Sequence, residues 1–476
     1  MKQTRIEEDF LGSLEVPIHV YWGIHTKRAL NNFPISGERV NPSLVKALAM
    51  VKKACCQANH ELGYLDFRKF TAITSACDEI AAGLLADQFP VDALQGGAGT
   101  STNMNMNEVI ANRAIEIIGG VKGDYTIVHP LHDTNLHQST NDVYPTAIKI
   151  AVILGLRRLS NAIALLQDAF QAQEKNFGAI IKIGRTELQE AVPITLGAEF
   201  SAFSEAFSRD RWRTFKCEER LRVVNIGGTA VGTGLTAPRD YIFLVIEKLR
   251  EVTGLSLARG ENIMGETANT DAFAEVSGIL KAHASNLIKI SNDLRLLNLL
   301  GEIHLPAMQA GSSIMPGKVN PVLLEAVMQT GIKVIANDGI ITEVTSRGTL
   351  QINEFLPLLA HALLESLTIL ENTNKLLAKH VSAITADEAV CRAHFDRSST
   401  IITALLPYIG YEKAMGLLKE YQKEKSITTP PSSEGARVLS SENNIGSYLM
   451  KRLEPEIVTR AFSPYNLTAL GFEKNG

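Results

Sequence analysis

Six long amphipathic segments occupy the middle of the chain and constrain its fold more than any other feature. Apolar residues recur at helical spacing through each segment, and short runs of Gly, Pro and Thr separate them. The segments exceed the average globular helix of about 11–12 residues, so they predict an elongated, all-α bundle. They cover residues 147–175, 197–222, 238–253, 270–299, 322–345 and 355–380.

This pattern predicts three domains and an oligomer. With 476 residues, the chain exceeds one ordinary domain. We expect an N-terminal helical domain at residues 1–136, a central long-helix bundle at 137–390 and a small C-terminal helical domain at 391–476. Within the first domain, residues 1–40 are predicted to be irregular. Because an elongated apolar bundle commonly buries its sides against other copies, we expect a homo-oligomer.

Charge and cysteine content exclude several classes of partner and site. The 47 basic and 51 acidic residues give a net charge of −4, which provides no electrostatic footprint for nucleic acid or an anionic membrane. No uncharged apolar run of about 18 residues and no signal-peptide core occur, so we predict neither a membrane span nor secretion. The five cysteines are odd in number and lack C-x-x-C spacing. This pattern indicates neither disulfides nor a zinc site, and a cytoplasmic location fits best.

Residues 311–321 are the strongest candidate for a functional site. The segment contains Ser312, Ser313, Lys318 and Asn320 together with two glycines and two prolines. Glycine lets backbone N–H groups approach a ligand, a deprotonated serine can act as a base, and lysine beside asparagine suits a carboxylate. From the residues alone, an ordinary connecting loop stays open as the alternative, since connectors also collect Gly and Pro.

Two other polar segments precede predicted helices. Residues 95–108 pass from glycines through Thr and Ser to helix formers, which indicates either an anion site at a helix N-terminus or a capped helix start. No Gly-Lys-Ser/Thr follows, which excludes a P-loop. Residues 132–142 carry more hydrogen-bonding side chains than one cap requires, ahead of a helix predicted from about Tyr144, so some should face a ligand. His132 and His137 lack metal-ligand spacing, and no metal is predicted.

In combination, these segments resemble the aspartase/fumarase superfamily of β-elimination lyases, and most closely its aspartate ammonia-lyase branch. The resemblance covers most of the chain and includes residues 5–9, 21–26, 95–108, 138–146, 184–200 and 311–321. It implies a three-domain, all-α homotetramer whose active sites lie where three subunits meet. It also implies a small amino-acid-type substrate and no cofactor.

The resemblance also assigns roles to individual residues. Ser312 would be the base that removes a proton from Cβ, and Lys318 with Asn320 would bind the substrate carboxylate. Glu325 would take a supporting position. The remaining pocket residues implied by the match are Thr100, Ser101, Ser139, Thr140, Asn141, Thr186 and Ser313.

The chain departs from the family pattern at several positions near this pocket. Asp133 stands where the family usually has histidine, Leu136 where it has a positive or polar residue, and His137 where it has a small residue. Glu187 follows Gly-Arg-Thr in place of His or Gln, and a short insert with an arginine is missing before Glu302. Most of these changes remove positive charge or add negative charge.

We therefore favour a substrate that carries a cation. Like charge within about 4–6 Å disfavours an anion, so a dicarboxylate would bind less well. An ergothionase-like reaction fits, in which trimethylamine leaves ergothioneine to give thiolurocanate, and Glu187, Asp133 or His137 contacts the ring or the ammonium. The alternatives are aspartate ammonia-lyase, with Glu187 paired to the ammonium of aspartate, fumarate hydratase, and an inactive scaffold such as the lens crystallins related to argininosuccinate lyase.

Overall fold

Helices make up most of the chain, as the long amphipathic segments predict. The computed structural model describes residues 3–428, 444–469 and 471. The helices are α1 (Ile24–Asn32), α2 (Pro42–Glu61), α3 (Phe67–Ala81), α4 (Thr100–Ile118), α5 (Thr140–Asn176), α6 (Leu196–Cys217), α7 (Arg239–Thr253), α8 (Ile263–Ala268), α9 (Asp271–Leu299), α10 (Val322–Thr345), α11 (Leu356–Ser382), α12 (Glu388–Arg397), α13 (Leu406–Ile409), α14 (Tyr411–Thr428), α15 (Ile445–Arg452), α16 (Pro455–Ala461) and α17 (Pro464–Thr468). The strands are β1 (Thr4–Asp9), β2 (Gly12–Pro17), β3 (Ile181–Thr186), β4 (Gln189–Thr195), β5 (Val223–Val224), β6 (Ala258–Arg259), β7 (Ile303–His304) and β8 (Thr385–Ala386).

The six predicted long helices correspond to α5, α6, α7, α9, α10 and α11. Helix α10 spans the predicted residues, whereas α5 begins at Thr140, well before the predicted start. The reason is a capping box, in which Ser139 Oγ accepts the Asn141 N–H and the Asp142 carboxylate accepts the Ser139 N–H. Residues 140–142 of the polar segment therefore belong to the first turn of the helix, and residues 132–139 precede it.

Local capping explains where other helices begin and end. Asn41 accepts the N–H of Ser43 at 2.9 Å and is followed by a proline at the first position of α2. Asp66 accepts the N–H of Lys69 at the start of α3. At the other end, α7 stops at Gly254, whose φ of 66° is the left-handed conformation that favours glycine.

The prediction that residues 1–40 are irregular is wrong. Strands β1 and β2 pair as an antiparallel hairpin, with Glu7 opposite Leu14, and α1 follows. In β1 the usual pattern is reversed, because the apolar Ile6 is 76% exposed and the charged Glu7 is buried, so apolar residues do not mark the buried face of this strand. A second antiparallel hairpin, β3–β4, occupies one of the interruptions between the long helices.

The chain divides into two compact units, each built from separate stretches of sequence. The first comprises the described residues within Met1–Asn161, Asp210–Ser285 and Thr330–Asn372, and the second those within Ala162–Arg209, Asn286–Gln329 and Thr373–Gly476. The three-domain division stays a prediction. Parts of its C-terminal domain, at 429–443, 470 and 472–476, lie outside the described residues.

Each unit has its own apolar core. In the first, α2 packs against α3 and α7, and its Leu44, Leu48 and Val51 are almost completely buried, each worth about 1.5–3 kcal/mol of stability. In the second, Phe395 and Leu449 belong to a cluster that Ile183 of β3 also enters. Across the described residues, no helix is long and apolar enough to cross a membrane.

Candidate active site

Helices α4 and α5 begin side by side in the first unit. Asn103, in the first turn of α4, donates from Nδ2 to Oγ1 of Thr140 at 3.0 Å. Before α4, a Cβ on Gly99 would lie 2.6 Å from the ring of Tyr144, so glycine is required there. This packing gathers Thr100 and Ser101 with Ser139, Thr140 and Asn141. Two helix N-termini in one place favour an anion.

The start of α4 is a strained turn that leaves Thr100 exposed. Gly97, Ala98 and Gly99 have φ values of 82°, 55° and 96°, and Thr100 Oγ1 donates back to Gly97 O at 2.7 Å. Gln95 Oε1 accepts both the N–H and the hydroxyl of Thr102, which is buried. Gly99 is the N-cap residue of α4 and has no side chain that could cap the helix. A ligand can therefore approach the first turn.

The start of α5 rests on the buried carboxylate of Asp142. Besides the Ser139 N–H, it accepts the N–H groups of Gly227 and Thr229, at 3.2 and 3.0 Å. Burial raises the pKa of Asp142 to about 6, although these hydrogen bonds oppose the rise. These hydrogen bonds attach the loop that contains Gly227 and Thr229, in the same unit, to the first turn of α5.

Asn225 of this loop compensates for a proline inside α5. Pro145 has no N–H, so the carbonyl of Asn141 loses its normal helical partner. Asn225 Nδ2 donates to that carbonyl at 2.9 Å, and Asn141 Nδ2 in turn donates to Ala230 O at 2.7 Å. The backbone and side chain of Asn141 are both held in place.

Buried groups that the sequence analysis missed support the two helix starts. Asn135 Oδ1 accepts from Lys52 Nζ at 3.0 Å, from Asn103 at 3.3 Å and from Asn107 at 3.1 Å. Burial lowers the pKa of Lys52 to about 8. The asparagines at 103 and 107 are one helical turn apart, and this spacing could have revealed them. By contrast, Lys52 lies among the apolar residues of α2, and no spacing in the sequence marks it as a buried polar group.

Asp133 and His137 are engaged by neighbouring side chains. Both carboxylate oxygens of Asp133 lie 2.9 Å from Lys69 Nζ. His137 Nδ1 lies 2.7 Å from Asn59 Oδ1, its ring packs edge-on against Tyr64, and burial lowers its pKa.

Thr186 and Glu187 lie at the tip of the β3–β4 hairpin in the second unit. Glu187 and Leu188 form the two-residue turn with φ values of 51° and 61°, as in the tight turns that favour Asn and Gly. Both residues and Thr186 are exposed. Non-glycine residues in this conformation store local strain, which is found most often at functional sites.

Residues 311–321, also in the second unit, form a closed loop around Ser312. The N–H of Gly311 donates to Lys318 O at 2.7 Å, and Asn320 Nδ2 donates to Gly311 O at 2.9 Å. Ser312 Oγ accepts the N–H groups of Ile314 and Met315 at 3.2 and 2.9 Å. Two donors on one hydroxyl oxygen favour its deprotonated form.

The remaining predicted residues flank this loop. Ser313 and Lys318 are exposed on it, and Glu325 lies half-buried in the first turn of α10. The structure thus gathers the predicted residues into three local groups, namely the paired helix starts, the hairpin tip and the closed loop. Within the described residues, no group of three or more His, Cys, Asp or Glu side chains could hold a metal ion.

Comparison with known proteins assigns the chain to one family. A family model described as Lyase matches residues 12–336. The aspartate ammonia-lyase of Pseudomonas aeruginosa is 46% identical over 425 residues, which cover 87% of this chain and 90% of that protein. The aspartate ammonia-lyase of Helicobacter pylori is 44% identical over 469 residues, covering 94% and 99%.

Solved structures give the same result. A fumarate lyase:delta crystallin from Brucella melitensis, bound to cobalt, superposes with a TM-score of 0.91 at 42% identity, covering 98% of this chain and 100% of that one. A class II fumarase from Schistosoma mansoni superposes with a TM-score of 0.87 at 29% identity, covering 97% and 98%.

Proposed function

The chain belongs to the Lyase family, as a carbon–nitrogen lyase of the aspartase/fumarase superfamily, and from this premise we propose that it converts L-aspartate to fumarate and ammonia. The observation that carries the proposal is the closed loop at 311–321, in which the hydroxyl oxygen of Ser312 accepts two backbone N–H groups.

In the proposed reaction, deprotonated Ser312 Oγ removes a proton from Cβ. The electron pair of that C–H bond forms the Cα–Cβ double bond, and the electrons of the C–N bond leave with nitrogen as ammonia. The N–H groups of Ile314 and Met315 stabilise the serine oxyanion before the transfer. Lys318 and Asn320 bind the carboxylate beside Cβ, where negative charge develops.

The paired starts of α4 and α5 supply a second anion site. Thr100, Ser101, Ser139, Thr140 and Asn141 surround two helix N-termini, whose partial positive charge suits a carboxylate. We propose that a dicarboxylate substrate binds with one carboxylate at this site of one copy of the chain and the other at Lys318 of another copy. Thr186 completes the pocket from the hairpin, and Glu187 beside it pairs with the ammonium of aspartate.

The structure weakens the argument that led to ergothioneine. Ergothioneine would need Glu187, Asp133 or His137 to contact its ring or its ammonium group. Asp133 is already neutralised by Lys69, and His137 is bound to Asn59. The two relatives compared by sequence are aspartate ammonia-lyases, and none of the four similar proteins named above is an ergothionase. Of these three residues, only Glu187 is left to bind a cationic group. The ammonium of aspartate is such a group, so a substrate with a permanent cation is not required.

A homotetramer with composite sites is part of the proposal. On α10, Ile332, Ile335, Ala336, Gly339 and Ile340 are exposed at the i, i+3, i+4, i+7, i+8 spacing of a helix-packing stripe. An exposed stripe of this kind is typical of a helix that packs against another copy. All five cysteines are buried free thiols, which suits the cytoplasm.

Two substrates distinguish the alternatives. Incubation of the protein with L-aspartate should produce the ultraviolet absorbance of fumarate, whereas ergothioneine should give no thiolurocanate chromophore. Thiolurocanate formation without fumarate would reverse the assignment. An absence of turnover with both would favour the inactive scaffold, and hydration of fumarate alone would favour a fumarase.

A further inference from the structure

A buried carboxylate in the second unit joins three elements. Glu302 is completely buried, and its Oε1 lies 2.8 Å from Arg185 Nη2 and 2.8 Å from His394 Nδ1, while its Oε2 lies 2.8 Å from Lys182 Nζ. Lys182 also pairs with Glu199 at 2.5 Å. Strand β3 supplies Lys182 and Arg185, the turn before β7 supplies Glu302, and α12 supplies His394.

The surrounding contacts anchor the same hairpin to the C-terminal helices. Ile183, between the two cations of β3, is fully buried in the cluster that contains Phe395 and Leu449. On β4, Glu190 Oε2 accepts the hydroxyl of Ser398 at 2.6 Å. The Glu302 backbone carbonyl also accepts the N–H of Asp387 at the start of α12. Both strands of the hairpin are therefore attached to α12 or to the residue that follows it.

The tip of this hairpin needs such support. Glu187 and Leu188 occupy a left-handed conformation without glycine, and both are exposed. The pairing of Thr186 with Gln189 closes the turn, but neither turn residue is the Gly or Asn that this conformation favours. Arg185 immediately precedes Thr186, so a fixed Arg185 fixes the backbone that carries Thr186 and Glu187.

We propose that Glu302 is a positioning residue for substrate binding, whose carboxylate holds the β3–β4 hairpin on α12 and so fixes the placement of Thr186 and Glu187. The inference rests on the proposed function, because it takes Thr186 and Glu187 as substrate contacts. Glu302 does not touch the substrate and acts through the hairpin.

The charges make this connection strong and specific. Burial by itself raises the pKa of Glu302, but Arg185, Lys182 and His394 more than offset that effect and lower the pKa below its ordinary value. Loss of the carboxylate charge would leave Arg185 without its anionic partner and Lys182 with Glu199 alone. Because removal of one partner from a buried ion pair is strongly destabilising, Arg185 would then move away from α12 and release the hairpin.

The test combines hydrogen exchange with steady-state kinetics on the full-length enzyme. Glu302→Gln removes the central charge, and His394→Ala removes one contact at a residue that is partly exposed, so it decides the outcome if the first variant does not fold. The matched control is Arg392→Gln, which breaks an exposed ion pair with Asp396 on the same helix. Amide exchange is followed over residues 181–195 and, for reference, over α2.

We expect both test variants to exchange faster in the hairpin but not in α2, and to show a KM for L-aspartate raised about tenfold or more with a much smaller change in kcat. The control should match the wild type. Unchanged hairpin exchange, or faster exchange with an unchanged KM, would overturn the inference. If the wild type itself does not turn over aspartate, the proposed function fails, whereas unchanged hairpin exchange contradicts the positioning role independently of any substrate.

Discussion

Ser312, the proposed base, would gain its chemistry from the backbone around it. A serine hydroxyl is normally too weak an acid to provide a base near neutral pH. Here its oxygen accepts two N–H groups of the residues that follow, and each donor favours the anion. The sequence predicted the residue, but not the turn of the loop that supplies the two donors.

Replacement of Ser312 by alanine should remove this base. We expect kcat to fall by roughly 10²–10⁴-fold, the usual contribution of a general base, while the oligomeric mass stays the same. Ser285→Ala, an exposed serine on α9, is the control and should keep full activity. A Ser312→Ala enzyme with wild-type kcat in the fumarate assay would contradict the assignment.

Glu187 should recognise the ammonium group rather than a carboxylate. Glu187→Gln is expected to raise the KM for L-aspartate about tenfold, in line with the loss of a charged hydrogen bond worth roughly 1.5–3 kcal/mol. The inhibition constant of succinate, which has both carboxylates but no amine, should stay nearly constant. Equal weakening of aspartate and succinate would argue against an ammonium contact.

Lys52 makes stability depend on pH in the alkaline range. Below pH 8 its charge is present in the folded and the unfolded chain, and burial makes it destabilising. Between the folded pKa of about 8 and the unfolded value of about 10.4, only the unfolded chain keeps the proton. Relative to Lys52→Met, the free energy of unfolding of the wild type should therefore rise by about 1.4 kcal/mol per pH unit in this window.

Denaturant melts of both proteins at about pH 7, 8, 9 and 10 would measure the difference. A difference that stays flat across this range would show that Lys52 keeps its proton in the folded protein. In that case, the hydrogen bonds from Lys52 Nζ to Asn135 and Gln138 would offset the full cost of burying the charge.

At the scale of elements, the long helices could be read from sequence and the hairpins could not. Helical periodicity in α9 and α10 extends over many turns, so a few exposed apolar residues do not obscure it. Strands β3 and β4 have six and seven residues, and β3 is buried along most of its length, so no alternation reveals it. The buried Glu302 was equally hidden, because its partners are distant in sequence.

The closed loop at 311–321 should depend on Gly311. A Cβ there would lie 2.8 Å from Lys318 O and 2.9 Å from Asn320 N, so Gly311→Ala should open the loop and lower kcat at least about tenfold. Gly416→Ala is the control, since its Cβ meets open space on α14 and should, if anything, stabilise that helix by up to about 1 kcal/mol. Unchanged kcat in Gly311→Ala would show that closure tolerates a side chain.

For the whole molecule, the candidate residues lie in both units of the chain. Thr100 and Asn141 belong to the first, and Thr186 and Ser312 to the second. The sequence predicted these residues through resemblance to a family, and the same resemblance implies that different subunits contribute them to one site. Neither composition nor periodicity could have indicated such sharing.

Mixing of inactive variants tests this arrangement. Ser312→Ala and Thr100→Val should each be nearly inactive, but subunits refolded together in equal amounts should recover about one quarter of wild-type activity, as random assortment in a symmetric oligomer requires. The single variants refolded alone are the controls. No recovery in mixed oligomers, with mass confirmed by light scattering, would place both residues in one subunit's site.

The hairpin tip has a consequence for engineering. Arg185, Ile183 and Glu190 attach both of its strands to other elements of the second unit, so under the proposed role of Glu302 the turn conformation does not depend on residue 187 alone. Side chains at this position can therefore be exchanged without rebuilding the scaffold that presents them. A search for enzymes that release other amines would begin by randomising this one codon.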